Sequence, residues 1–238
     1  MSFIIAVHVN EGIVLASDRR TTYVNTLKQQ GGTIVKNVGI HTTDSTDKTF
    51  LCSNKCGIST CGEATLQGKP ITGYIQEFIR TKISSDTSVC DVPNMILEFF
   101  NDFSPSPSTN FIVAGYNSSN DGVQQVIYKV SVESSSIVKV DTSLQGAIWD
   151  GEVNTLLRLI KKNLAIKGSD GDYSDLVSEE ILWNYFTLQD AVDFARYAVE
   201  TTINTMHFKN VVETVGGKID ILVITPEKAE WLQKEKLR

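Results

Sequence analysis

Nearly every position from Phe3 to Val9 is apolar, Asn10-Glu11-Gly12 supplies turn chemistry, and Ile13 to Ser17 is apolar again. A strand that covers one face alternates apolar and polar residues, whereas a strand covered on both faces does not. The chain therefore predicts a buried β-hairpin at its start. Residues 21 to 46 are polar and contain glycine, with one short β-like run at Thr33 to Val38. Lys48 to Ser53 and Gly57 to Cys61 then flank the turn Asn54-Lys55, which predicts a second hairpin.

From Glu63 to about Ile83 the positions Leu66, Ile71, Tyr74, Ile75, Phe78 and Ile79 recur at helical spacing, interrupted early by Gly68 and Pro70. A second helix is expected from Val92 to Phe103, stopped by Ser104-Pro105-Ser106-Pro107. Phe111 to Tyr116, Val123 to Val132 and Ile137 to Val140 read as a β meander. Helical spacing returns at Val153, Leu156, Leu157 and Ile160, again around Asp175 to Phe186, and most clearly from Leu188 to Met206. Two strands are expected around Gly216-Gly217, the second at Ile219 to Thr225, and a short charged helix after Pro226.

Runs of strands alternating with runs of helices favour layered antiparallel sheets over a parallel βαβ wind. Two stacked sheets with helices outside would bury both faces of the first hairpin. The expected fold class is therefore α+β, as one domain over residues 1–238 with no linker-like segment and an extended loop at about 21–46.

Composition narrows the function. A net charge of -6 disfavours nucleic acid as a partner. No apolar run approaches the roughly eighteen residues needed to span a bilayer, and no basic stretch leads into an apolar core with a cleavage site. A cytoplasmic protein without membrane contact is expected. Cys52, Cys56, Cys61 and Cys90 lack paired C-x-x-C spacing, so reduced cysteines in or near the core are expected, with no metal site. His8, His41 and His207 have no metal-ligand spacing, and His8 inside an apolar strand reads as structural. P-loop, Rossmann and Gly-x-Ser-x-Gly patterns are absent.

The candidate chemistry lies at the start, in SFIIAVHVNEGIVLASDRR. Ser2 is followed sixteen residues later by Asp18 and eighteen later by Arg20, and Lys48 stands fourteen before Gly62 in KTFLCSNKCGISTCG. With the element order, these residues resemble the N-terminal-nucleophile hydrolases of the proteasome type along nearly the whole chain. Residues 21 to 46 would carry about fourteen extra residues relative to the family, a cheap insertion in a surface loop. With no propeptide expected ahead of Ser2, the chain looks closer to the simple bacterial members of the HslV and Anbu types.

The resemblance implies a four-layer αββα sandwich and amide hydrolysis without metal or organic cofactor. Ser2 would be the nucleophile once Met1 is removed, its own α-amine the base; that amine's reference pKa of roughly 7.7–8.0 leaves a useful neutral fraction. Lys48 would lower the proton affinity of hydroxyl and amine, Asp18 would hold Lys48, and Arg20 would fix Asp18 and the strand end. The Gly62 N–H would bind the oxyanion. The resemblance also implies peptide or unfolded-protein substrates, a homo-oligomeric ring or ring-like stack, and an ATPase unfoldase as a partner. Two departures stand out. The family's Gly-Ser-Gly turn appears as Trp149-Asp150-Gly151, where Asp150 could orient the amine, and Val212 and Val215 replace a polar Asp-x-x-Ser pair before Gly216-Gly217. The departures leave two alternatives: a catalytically inactive assembly subunit on the same fold, or an amidase acting on a small amide.

Overall fold

The computed structural model describes residues 2–28, 35–119, 122–160, 164–176 and 179–236. The first hairpin pairs β1 (Phe3–Val9) with β2 (Gly12–Asp18), in the register Ile4 to Ser17 through Val9 to Gly12. All fourteen residues of the two strands are buried. The reason is their place in the fold. Phe3, Ile5, Val7, Val14 and Ala16 pack into one apolar cluster, whereas Ile4, Ala6, Ile13 and Leu15 pack into another on the opposite face.

Continuing along the chain, β3 (Thr21–Lys28) and β4 (Val35–Thr43) form a two-stranded antiparallel ladder, and β5 (Thr49–Leu51) pairs with β6 (Gly57–Gly62). The miniature strands β7 (Thr65–Leu66) and β8 (Lys69–Pro70) lead into α1 (Ile71–Lys82) and α2 (Val92–Asn101). The meander is β9 (Thr109–Ser119), β10 (Gly122–Ser131) and β11 (Ser136–Lys139), followed by β12 (Gly146–Gly151) and α3 (Asn154–Ile160). A small ribbon, β13 (Leu164–Lys167) with β14 (Tyr173–Leu176), precedes α4 (Leu188–His207), β15 (Ile219–Ile224) and β16 (Ala229–Gln233).

Two five-stranded sheets dominate, ordered β12-β1-β2-β15-β16 and β11-β10-β9-β6-β5, with every pairing antiparallel. Ile4, Leu15 and Leu222 of the first sheet share one cluster with Ile112, Ala114 and Ile127 of the second. A further cluster joins the first sheet to α4 through Ala191, Ala195, Ala198 and Val199, and another joins the second sheet to α1 and α2 through Ile75, Phe78, Ile96 and Phe100. Helix α4 starts in a reciprocal capping box, Thr187 with Asp190, which satisfies two backbone donors otherwise left open. The described residues are thus mixed α+β, with antiparallel sheets and four α-helices. Among the described residues no helix is long and apolar enough to cross a membrane.

Several expected elements differ. The polar segment 21–46 is largely a β-hairpin, although the beginning of the run Thr33 to Val38 lies outside the described residues. The helix expected from Glu63 begins only at Ile71, because Gln67 and Gly68 take positive φ in a tight turn that pairs β7 with β8. The helix expected around 175–186 is absent over the described residues. Tyr173–Leu176 pairs with β13 instead, and the Gln145 side-chain amide donates to the Trp183 and Phe186 carbonyls, holding a 3-10 turn there. The segment before Gly216-Gly217 is irregular, and the expected C-terminal helix is the strand β16, added to the sheet edge beside β15. Strand β12 was not legible in the periodicity, since its six residues are all half-buried.

Candidate active site

Strand β2 ends at Asp18, and the chain turns there with its backbone amides pointing back at the carboxylate. Asp18 Oδ1 accepts from the Phe3 N–H at 3.0 Å, and Oδ2 accepts from the Arg20 and Gly216 N–H groups, each at 3.0 Å. Three main-chain donors thereby hold an anion that has no exposure to water. Lys48, just ahead of β5, completes the arrangement: its Nζ donates to both Asp18 oxygens at 2.8 Å and to the Arg20 carbonyl. These three bonds use all three protons of an ammonium. Burial pushes Lys48 below its ordinary range, with Asp18 as the main opposing influence.

The nucleophile candidate lies beside this pair. Ser2, Lys48 and Gly62 line one small pocket together with Thr21, Thr60 and Asp47. Ser2 is 8% exposed. Its carbonyl accepts from the Glu152 N–H at 2.8 Å, and Gly151, at φ +90°, lies so close that a Cβ there would sit 1.8 Å from the Ser2 carbonyl oxygen. Only glycine permits that approach. Gly62 ends β6 at φ +125°, where a side chain would strike the Ser108 carbonyl, so the strand can turn sharply at the pocket wall.

The sequence-derived residues fall into three groups. Ser2, Lys48 and Gly62 share the pocket, and Asp18 reaches it through Lys48. Arg20 takes part through its main chain, whereas its guanidinium is turned away to Asp44 and Glu213. That pairing holds the Asp44 carboxyl below its usual range. Asp150 does not line the pocket: its carboxylate faces Lys129 at 3.1 Å and Asn110 at 3.3 Å, and accepts from the Gly151 N–H at 2.7 Å.

Gly216 and Gly151, marked in the sequence only as parts of turns, also take part, as does Arg19. Gly216 donates to Asp18 while its carbonyl accepts from the Arg19 and Arg20 N–H groups at 3.1 and 3.0 Å. Arg19, between Asp18 and Arg20, is only 2% exposed and binds Asp47 and Asp220, each at 2.7 Å. Local pattern does not mark Arg19 as buried, because its two acidic partners lie 28 and 201 residues away. Of the two valines in place of the polar pair before Gly216-Gly217, Val215 is 1% exposed within the α4 cluster and Val212 is 43% exposed. The four cysteines are free thiols, three of them buried, and among the described residues no three His, Cys, Asp or Glu side chains converge on a metal site.

Comparison with solved structures places this architecture. Anbu from Hyphomicrobium sp. strain MC1 superposes over 98% of this chain and 88% of its own, with a TM-score of 0.59 and 11% identity. The fold is similar to that of Anbu. A Gly-1 mutant of Anbu from the same strain gives a TM-score of 0.60 at 12% identity, over 99% of this chain and 86% of that one. At such identity the likeness to Anbu concerns the fold alone. No protein-family model matches the sequence. No curated protein matches it either.

Proposed function

We propose that this chain is a proteasome-type N-terminal-nucleophile hydrolase, a single domain over 1–238 whose stacked sheets and flanking helices form the four-layer αββα sandwich, and which cleaves amide bonds through Ser2 after removal of Met1. The observation that carries the reading is the Lys48 ammonium, bound to both oxygens of Asp18 and to the Arg20 carbonyl at the wall of the pocket lined by Ser2 and Gly62. A buried cation fixed beside a hydroxyl is what an N-terminal nucleophile needs.

In the proposed reaction the free Ser2 amine takes the hydroxyl proton as Oγ attacks the amide carbonyl. The oxyanion is stabilised by the Gly62 N–H and the Lys48 charge. The proton passes to the leaving amine, the C–N bond breaks, and an ester on Ser2 remains. Water, deprotonated by the same amine, then releases the acid. Asp18 and the Arg20 main chain hold Lys48. Asp150 acts at one remove, by bonding the Gly151 N–H in the turn against which Ser2 rests. No metal or organic cofactor enters the scheme. Peptide or unfolded protein is the proposed substrate in the cytoplasm, a homo-oligomeric ring or stack the proposed assembly, and an ATPase unfoldase the proposed partner.

Intact mass and covalent labelling test this. Purified protein is expected to lack Met1 and to gain one adduct from an electrophilic peptide inhibitor, and Ser2→Ala is expected to gain none. Peptide turnover in preference to small-amide turnover separates the peptidase from an amidase. A second reading, an inactive assembly subunit, is favoured by the apolar burial of Val215, which leaves Ser2 without the polar support expected from that segment. Retained Met1 and no adduct on Ser2 would establish it.

A further inference from the structure

Beside the Asp18–Lys48 pair lies a second group of buried charges that the proposed reaction does not use. Arg19 Nη1 binds Asp47 Oδ1 and Asp220 Oδ2, both at 2.7 Å, and Lys234 Nζ binds the same two oxygens at 2.7 and 2.9 Å. Two cations and two carboxylates thus close a ring of four contacts. Asp220 has no exposure and Arg19 almost none, whereas Asp47 and Lys234 keep about a quarter of their side-chain surface, 28% and 24%.

The four residues come from parts of the chain far apart in sequence. Arg19 follows β2, Asp47 immediately precedes Lys48, Asp220 lies in β15, and Lys234 follows β16. Further contacts pin the return segment of the β3–β4 hairpin: Arg19 Nη2 donates to the Ser45 carbonyl at 2.9 Å, and Thr46 N–H donates to the Arg19 carbonyl at 3.2 Å. The Glu235 N–H adds a bond to Asp220 Oδ1 at 3.1 Å. Lys234 also lies over the Trp231 ring at 4.4 Å, a contact that keeps its stem in place.

Asp47 and Lys48 are consecutive. The placement of the Lys48 backbone therefore depends on where the Asp47 carboxylate is anchored, and Asp47 itself lines the pocket with Ser2. Resting on the proposed hydrolase reading, we infer that Arg19, Asp47, Asp220 and Lys234 are positioning residues for the Lys48 ammonium, so that the C-terminal segment controls the site through Lys234. The geometry favours control over mere stability, because of the two cations Lys234 alone arrives from outside the chain segments that carry Asp18 and Lys48. Loss of Lys234 leaves Arg19 alone to balance two carboxylates, and Asp47, the more exposed acid, is the one free to swing out. Misplacement by about 1 Å in a reacting constellation can cost about 100-fold in rate.

The test uses the full chain with Lys234→Met, which keeps the stem and removes the charge, and Lys234→Arg, which restores it. The Lys48 side-chain resonance, observed by NMR and assigned by its loss in Lys48→Met, reports on the site whether or not the protein is catalytic. Lys234→Met is expected to shift that resonance and its pH titration, and Lys234→Arg to return both toward wild type. For a protein labelled at Ser2, the labelling rate is expected to fall at least about 10-fold in Lys234→Met with inhibitor affinity unchanged. An unaltered Lys48 resonance and titration in Lys234→Met overturns the inference even if thermal stability falls. A shifted resonance in a protein whose Ser2 is never labelled upholds the positioning role and sinks the hydrolase reading instead.

Discussion

The Lys48 ammonium lies 2.8 Å from each carboxylate oxygen of Asp18, with the two side chains 3% and 0% exposed. Removing one charge of such a pair leaves the other buried without compensation, which typically costs about 3–5 kcal/mol. Asp18→Asn is therefore expected to destabilise the fold by that amount in urea denaturation. Adding Lys48→Met to it should recover part of the loss, because the stranded cation goes too. Equal stability of the single and double variants would contradict the pairing.

Arg20 serves the pair with its backbone, while its guanidinium binds the half-exposed carboxylates of Asp44 and Glu213. Exposed ion pairs are worth at most about 1 kcal/mol each. Arg20→Met is thus expected to cost no more than about 2 kcal/mol and to slow Ser2 labelling far less than Lys48→Met does. Labelling rates of the two variants, measured side by side, check this.

Gly151→Ala is expected to be severe. The new methyl would meet the Ser2 carbonyl oxygen in a backbone conformation that L side chains rarely adopt. Strain of this kind costs on the order of 1–3 kcal/mol before any clash is counted. Differential scanning calorimetry should register a lowered Tm, and Ser2 labelling should fall with it.

His8 provides a pH dependence remote from Ser2. Burial lowers its pKa from the ordinary 6.5, and Asp141 only partly opposes this. Between the folded-state pKa and 6.5 the unfolded chain therefore binds more protons, so stability falls as pH drops through that window. The slope contributed by one histidine cannot exceed about 1.4 kcal/mol per pH unit. Urea denaturation from pH 7.5 to 5 should show wild type losing more stability than His8→Gln, and parallel curves would refute the assignment.

Much of the fold was legible in the chain. The unbroken apolar runs of β1 and β2 announce strands covered on both faces, and the three-and-four spacing from Leu188 to Met206 announces α4, whose Ala191, Ala195, Ala198 and Val199 are all buried. What failed were short segments in which local pattern was outvoted by neighbours. Glu230 and Leu232 face outward from β16 while Trp231 turns inward, a period of two within a charged segment that resembles the end of a helix. Residues Tyr173–Leu176 became a strand because β13 lay within reach as a partner.

The candidate site divides in the same way. The resemblance of the Ser2-to-Asp18 and Lys48-to-Gly62 stretches to proteasome-type hydrolases pointed to those four residues; local hydrophobic pattern and turn chemistry placed only the strands beside them. Tertiary structure alone decided that Arg20 contributes its main chain, that Asp150 turns to Lys129, and that Gly216 donates to Asp18. It alone brought Lys234 to Asp47 across the chain. The reason is physical: a periodic apolar pattern specifies which face of an element is buried, but the partner of a buried charge depends on which distant segments the packed sheets bring within about 3 Å of it.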